Sequence, residues 1–147
     1  MRILKFRNQQ NQRRGYIALE VDNDRGVVFA AVSRYNEKHE DPKETPFDAQ
    51  EGISTAADRL NQTIADYTFG RQAVGVPRTT ITTDEQGNQT VSIPQQAVVR
   101  TETELKEFLR LNHVYAKDRN RAQFTVNYLR NPRPRPGFFA RLFNWFN

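Results

Sequence analysis

The stretch Tyr16-Ile17-Ala18-Leu19-Glu20-Val21-Asp22-Asn23-Asp24-Arg25-Gly26-Val27-Val28-Phe29-Ala30-Ala31-Val32-Ser33-Arg34-Tyr35 decides the fold. Two runs rich in β-branched and aromatic residues flank a cluster of Asp, Asn and Gly, which is the pattern of a β-hairpin. In the first run Ile17, Leu19 and Val21 alternate with Tyr16, Ala18 and Glu20, so the first three are expected to face the core. In the second run both alternating sets, Val27, Phe29, Ala31 and Val28, Ala30, Val32, are apolar. That is how a strand covered on both faces reads.

Outward from the hairpin, Arg2 to Arg7 predicts a further strand, and Asn8 to Gly15 a polar loop without a single apolar residue. Asn36 to Pro46 is charged and bracketed by prolines, a surface loop. Asp48 and Glu51 then stand at capping-box spacing, followed by a helical stripe of Ile53, Ala56, Ala57, Leu60, Ile64 and Tyr67. Gly52 and Ala56, one turn apart and small, let this helix approach the strands closely. Thr/Ile/Val runs on either side of a Gly-Asn turn predict a second hairpin over 79–93, projecting from the body. Thr101 and Glu104 form another capping box, opening a helix that ends near His113 and buries Leu105, Phe108 and Leu109, with Leu111 a further candidate. Ala122, Phe124, Val126 and Tyr128 alternate with Gln123, Thr125 and Asn127, which predicts a last strand.

The expected fold is therefore α+β, a largely antiparallel sheet with two helices on one face. It is read as a single domain over 1–130 (hairpin 16–35, helix 48–67, hairpin 79–93, helix 102–113, strand 122–129) followed by an arm over 131–147. The arm begins with Asn131-Pro132-Arg133-Pro134-Arg135-Pro136-Gly137, where proline fixes φ and removes amide donors, an extended spacer. If the rest turns helical, Phe139, Leu142, Phe143 and Phe146 share one face. That face needs the protein's own core, a neighbouring protein or a membrane surface to cover it.

Phe47, Gly52, Ala56, Arg59 and Leu60 make a Phe-x4-Gly-x3-Ala-x2-Arg-Leu pattern at the start of the first helix. With the preceding hairpin and charged loop, it resembles small uncharacterised phage-encoded proteins over about a third of the chain. The resemblance implies a phage provenance and no particular activity.

Charge is unevenly distributed. Arg2, Lys5, Arg7, Arg13 and Arg14 give residues 1–14 a charge of +5, and Lys117, Arg119, Arg121, Arg130, Arg133, Arg135 and Arg141 against Asp118 give residues 117–147 a charge of +6. The whole chain is +5, so the intervening body carries −6. Basic ends on an acidic body suit a polyanion or an acidic partner surface. They equally suit ends folded onto that body.

Cysteine is absent, which excludes disulfides, thiolate metal sites and Cys nucleophiles, and mean hydropathy is −0.81. No leader-like or membrane-spanning run is evident, so a cytoplasmic protein is expected, in an infected cell or a virion if phage-encoded, with a membrane role disfavoured. His39 and His113 are the sole histidines; Glu37, His39, Glu40 and Asp41 read as solvated loop charge rather than a cation site. Glu20, Asp22 and Asp24 would be candidate nuclease carboxylates, but turn formation accounts for Asp22 and Asp24 without a metal. Phosphate-loop, dinucleotide-binding and nucleophile-elbow motifs are absent. No enzyme, cofactor or metal is expected.

Two functions follow. The first is docking on a protein partner or a second copy, anchored by Phe138, Phe139, Leu142, Phe143, Trp145 and Phe146, since aromatics and arginine dominate interface hot spots. The alternative is non-specific DNA or RNA binding, with Arg13, Arg14, Lys117, Arg119, Arg121, Arg130, Arg133 and Arg135 on phosphates and Tyr115, Tyr128 or Trp145 stacking on bases.

Overall fold

The computed structural model describes residues 1–10, 12–34 and 49–132, with the backbone alone for Arg13. Nine elements run β1 (Arg2–Arg7), β2 (Arg13–Asp22), β3 (Val27–Arg34), α1 (Ala49–Thr68), β4 (Thr80–Thr83), β5 (Gln89–Ser92), β6 (Gln96–Val99), α2 (Glu102–Leu111) and α3 (Ala116–Arg130). Four strands form one antiparallel sheet in the order β1-β2-β3-β6, and β4 with β5 forms a separate two-stranded ribbon.

The β2–β3 hairpin forms where the sequence places it, with Val21 opposite Val28 and Asp22 opposite Val27. Its turn closes on Asp22, whose carboxylate accepts from the Arg25 amide at 3.0 Å and from Arg25 Nε at 2.6 Å, while Gly26 supplies a φ of +68°. Arg25 also lies over the rings of Phe29 and Tyr67 and donates to Thr68 Oγ1, pinning the turn to the end of α1.

Both faces of the sheet are covered, which corrects the expectation of two helices on one face. Ile17, Leu19, Val28, Ala30 and Val32 pack with Phe6 against Leu105, Phe108 and Leu109 of α2 and Ala122 and Val126 of α3. On the opposite face Tyr16, Ala18, Val27, Phe29 and Ala31 pack against Ala56 and Leu60 of α1. Tyr16 and Ala18, expected to face outward, are therefore buried as well. Three layers result, α1, the sheet, and α2 with α3. Within α1, Ser33 Oγ donates to the Gly52 carbonyl at 2.7 Å and Ala56 is fully buried, the close approach that small residues allow. Ile53, assigned to the stripe, is instead 37% exposed.

The Thr101 cap of α2 has the expected form, Thr101 Oγ1 accepting from the Glu104 amide at 3.1 Å. Helix α2 closes at Leu111, short of His113, because Asn112 takes a non-helical conformation and His113 a φ of 59°. Buried Asn112 donates through Nδ2 to the carbonyls of Pro94 and Phe108, both at 3.0 Å, tying this corner to the entry of β6. Asn112→Ala should leave the Pro94 acceptor unpaired at about 1–3 kcal/mol, visible as a lower melting temperature with an unchanged far-ultraviolet spectrum.

Two elements depart from the sequence-based expectation. Gln96–Val99 is a strand, paired with β3, where the sequence reading assigned no element. Residues 122–129, expected as a strand, lie inside α3. The ribbon does project, with every residue of β4 and β5 exposed. Its loop is set by Asp84 Oδ1, which accepts from the Gln86 and Asn88 amides at 2.9 and 2.8 Å. Asp48, the Glu37–Asp41 loop and the arm beyond Pro132 lie outside the described residues.

Candidate nucleic-acid interface

Helix α3 has two unlike sides. Ala122, Gln123 and Val126 are buried, and Arg119, Leu129 and Arg130 are half-buried beside them. The opposite side presents Lys117, Asn120, Arg121, Phe124, Asn127 and Tyr128, all exposed, with Phe124 at 59% and Tyr128 at 49%. Lys117, Arg121, Phe124 and Tyr128 follow helical i, i+4, i+7, i+11 spacing and form a stripe about 16 Å long at 1.5 Å rise per residue. Asp118, the single carboxylate of α3, is tied to the β1 edge and to one cation of this side: its Oδ2 accepts from the Arg7 amide at 2.8 Å, its Oδ1 lies 3.4 Å from Arg121, and 14% of its side chain is exposed.

The first turn of α3 lies along the outer edge of β1. Tyr115 donates its amide to the Arg7 carbonyl at 2.6 Å, and Arg121 donates to the Lys5 carbonyl. Asn8 and Val114 form an isolated bridge just beyond. These contacts bring the basic segment 2–7, with Arg2, Lys5 and Arg7 exposed, next to the basic start of α3. The two basic regions thus adjoin, although about 110 residues separate them.

The other candidate cations scatter. Arg119 and Arg130 share the body-facing side of α3; Arg119 Nε is buried without a hydrogen-bond partner among the described residues, and Arg130 donates to the Arg100 carbonyl at 2.8 Å. Arg14 donates to Gln12 Oε1 at 2.6 Å at the start of β2. The Arg13 side chain, Arg133, Arg135 and Trp145 lie outside the described residues, as do Phe138, Phe139, Leu142, Phe143 and Phe146. Tyr128 stands on the exposed stripe, whereas Tyr115 is half-buried at the helix cap. Phe124 was missed because strand alternation turned it inward; its i+4 spacing to Tyr128 was the available signal.

At the hairpin tip Asp22 is held below the usual carboxylate range, first by the side-chain hydrogen bond from Arg25. Glu20 lies 3.5 Å from the Met1 amino group. Both carboxylates are thus engaged structurally, and among the described residues no three His, Cys, Asp or Glu converge to hold a metal. Nor is any described helix long and apolar enough to cross a membrane. No protein-family model, curated protein or solved structure matches the chain.

Proposed function

We propose that this is a non-enzymatic, sequence-independent nucleic-acid-binding accessory protein whose contact surface is the outer side of α3 with the adjoining β1 edge. The observation that carries this is the outward side of α3 itself: two cations, two exposed aromatics and two asparagines, with the helix's only carboxylate tied to the Arg7 amide and Arg121. Lysine and arginine neutralise phosphates without reading sequence, and exposed Phe and Tyr rings stack on unpaired bases. The net charge of −6 between the basic regions keeps the remaining surface off the polyanion.

Fluorescence anisotropy with a labelled single strand and a duplex, titrated from low to high salt, tests this. Affinity should fall steeply with salt, and Lys117→Ala should reduce the logarithmic salt slope by about 0.7 on single strands or about 0.9 on duplex. An absence of salt-sensitive binding would rule the function out. A second reading, docking on a protein partner, rests on the ribbon rather than the arm: its cross-strand pair Ile81 and Val91 is 63% and 59% exposed.

A further inference from the structure

We propose that the open cleft between the end of β3 and the segment Val91–Gln96 is an oxyanion site, built on Arg34 and backed by Arg59, that takes a phosphate group. The cleft has a volume of about 520 Å³ and is lined by Arg34, Val91, Ser92, Ile93, Pro94, Gln95 and Gln96. Among the described residues its lining contains one cation, no carboxylate, and the hydrogen-bonding side chains of Ser92, Gln95 and Gln96. It lies on the β6 side of the sheet, away from β1, and so does not rest on the nucleic-acid function above.

Arg59 reaches the same place from α1. Its Nη1 donates to the Val32 carbonyl at 2.8 Å, while the Val32 amide donates to the Gln95 carbonyl at 2.9 Å. Val32 therefore joins the cleft wall to Arg59, two residues before Arg34. Burial lowers the pKa of both guanidinium groups, and the charge of Arg59 lowers that of Arg34 further. Neither forms an ion pair among the described residues.

Arginine does not escape such a situation by losing its proton. Two like charges in a half-buried place are instead relieved by an anion. A phosphate monoester, with a charge of about −1.5 to −2 at neutral pH and three acceptor oxygens, matches two guanidinium groups better than a single carboxylate does.

The test uses the full chain at constant ionic strength, titrated with inorganic phosphate, glycerol 3-phosphate or acetate and followed by amide chemical shifts. Saturable shifts at Ser92–Gln96 with the two phosphates, and weaker ones with acetate, are expected. Tighter binding of glycerol 3-phosphate would mark an organic phosphate as the ligand, and equal binding the free ion. Arg34→Gln, which removes no hydrogen bond to a described residue, should weaken phosphate binding by about tenfold or more. Arg59→Lys should weaken it less while retaining charge. Absence of saturable shifts, or equal affinity in Arg34→Gln, would overturn the proposal. So would a loss of melting temperature in Glu40→Gln or Asp41→Asn, reversed by Arg34→Gln, because the counter-ion would then come from the loop itself.

Discussion

Gly15→Ala should lower the melting temperature by roughly 6–12 °C, the largest effect expected of any one-methyl change in the sheet. A Cβ at Gly15 would fall 1.8 Å from the Ser33 carbonyl oxygen, 2.9 Å from its carbon and 3.0 Å from the Arg34 Cα. All three are backbone atoms of β3, so no side chain can rotate away. Relief requires β2 and β3 to part at Gly15–Arg34, where both strands are central in the four-stranded order. Overpacking typically costs about 1–3 kcal/mol, and the backbone origin of this contact places it at the upper end. A chain of this size loses about 2–4 °C per kcal/mol, which gives the stated range. Thermal denaturation followed by circular dichroism measures it, and a melting temperature unchanged within error would refute the close strand approach.

Phe124→Ala with Tyr128→Ala should weaken single-strand binding by roughly 5- to 150-fold per ring, since a base stacked on an aromatic side chain contributes about 1–3 kcal/mol. Both rings are largely exposed, so stability should change by less than about 0.5 kcal/mol. Duplex binding, where bases already stack on one another, should fall much less. Anisotropy titrations of both variants on single strand and duplex at one salt concentration separate these terms. Equal losses on the two substrates would mean that the rings do not stack on bases, and no loss on either would remove α3 from the interface. Lys117 discriminates in the opposite sense, because its removal changes the salt slope on both substrates.

The hairpin at 16–34 was legible because period-two alternation and the Asp-Asn-Asp-Arg-Gly turn agree, and α2 because Thr101 and Glu104 mark its start. Two features hid the rest. Strand β6 is four residues long and its Ala97, Val98 and Val99 are buried on both sides, so it shows no alternation to detect. In α3, Ala122, Phe124, Val126 and Tyr128 mimic a strand because the apolar residues fall on opposite sides of a helix: Ala122 and Val126 seat inward while Phe124 and Tyr128 point out. Fifteen residues without Gly or Pro from Ala116 to Arg130 were the countervailing sign. The same misplacement concealed the site, since a strand would have put Phe124 in the core and left Lys117 and Arg121 outside the element. The pairing of Lys5 and Arg7 with α3 was not legible at all, because it depends on backbone groups, the Arg7 amide and the Lys5 carbonyl, which no side-chain pattern encodes.

That last contact sets a timetable for the newborn chain. The outer rim of β1 is sealed by residues translated about 110 positions later, and at roughly 5–20 residues per second the ribosome takes some 5–20 s to deliver them. Throughout that interval the Arg7 amide and the Lys5 carbonyl lack their eventual partners, and only the charges of Arg2, Lys5 and Arg7 discourage a neighbouring strand from adding itself there. Synthesis at high local concentration is thus the moment when copies of this protein are most prone to join wrongly, and the closing helix ends that hazard.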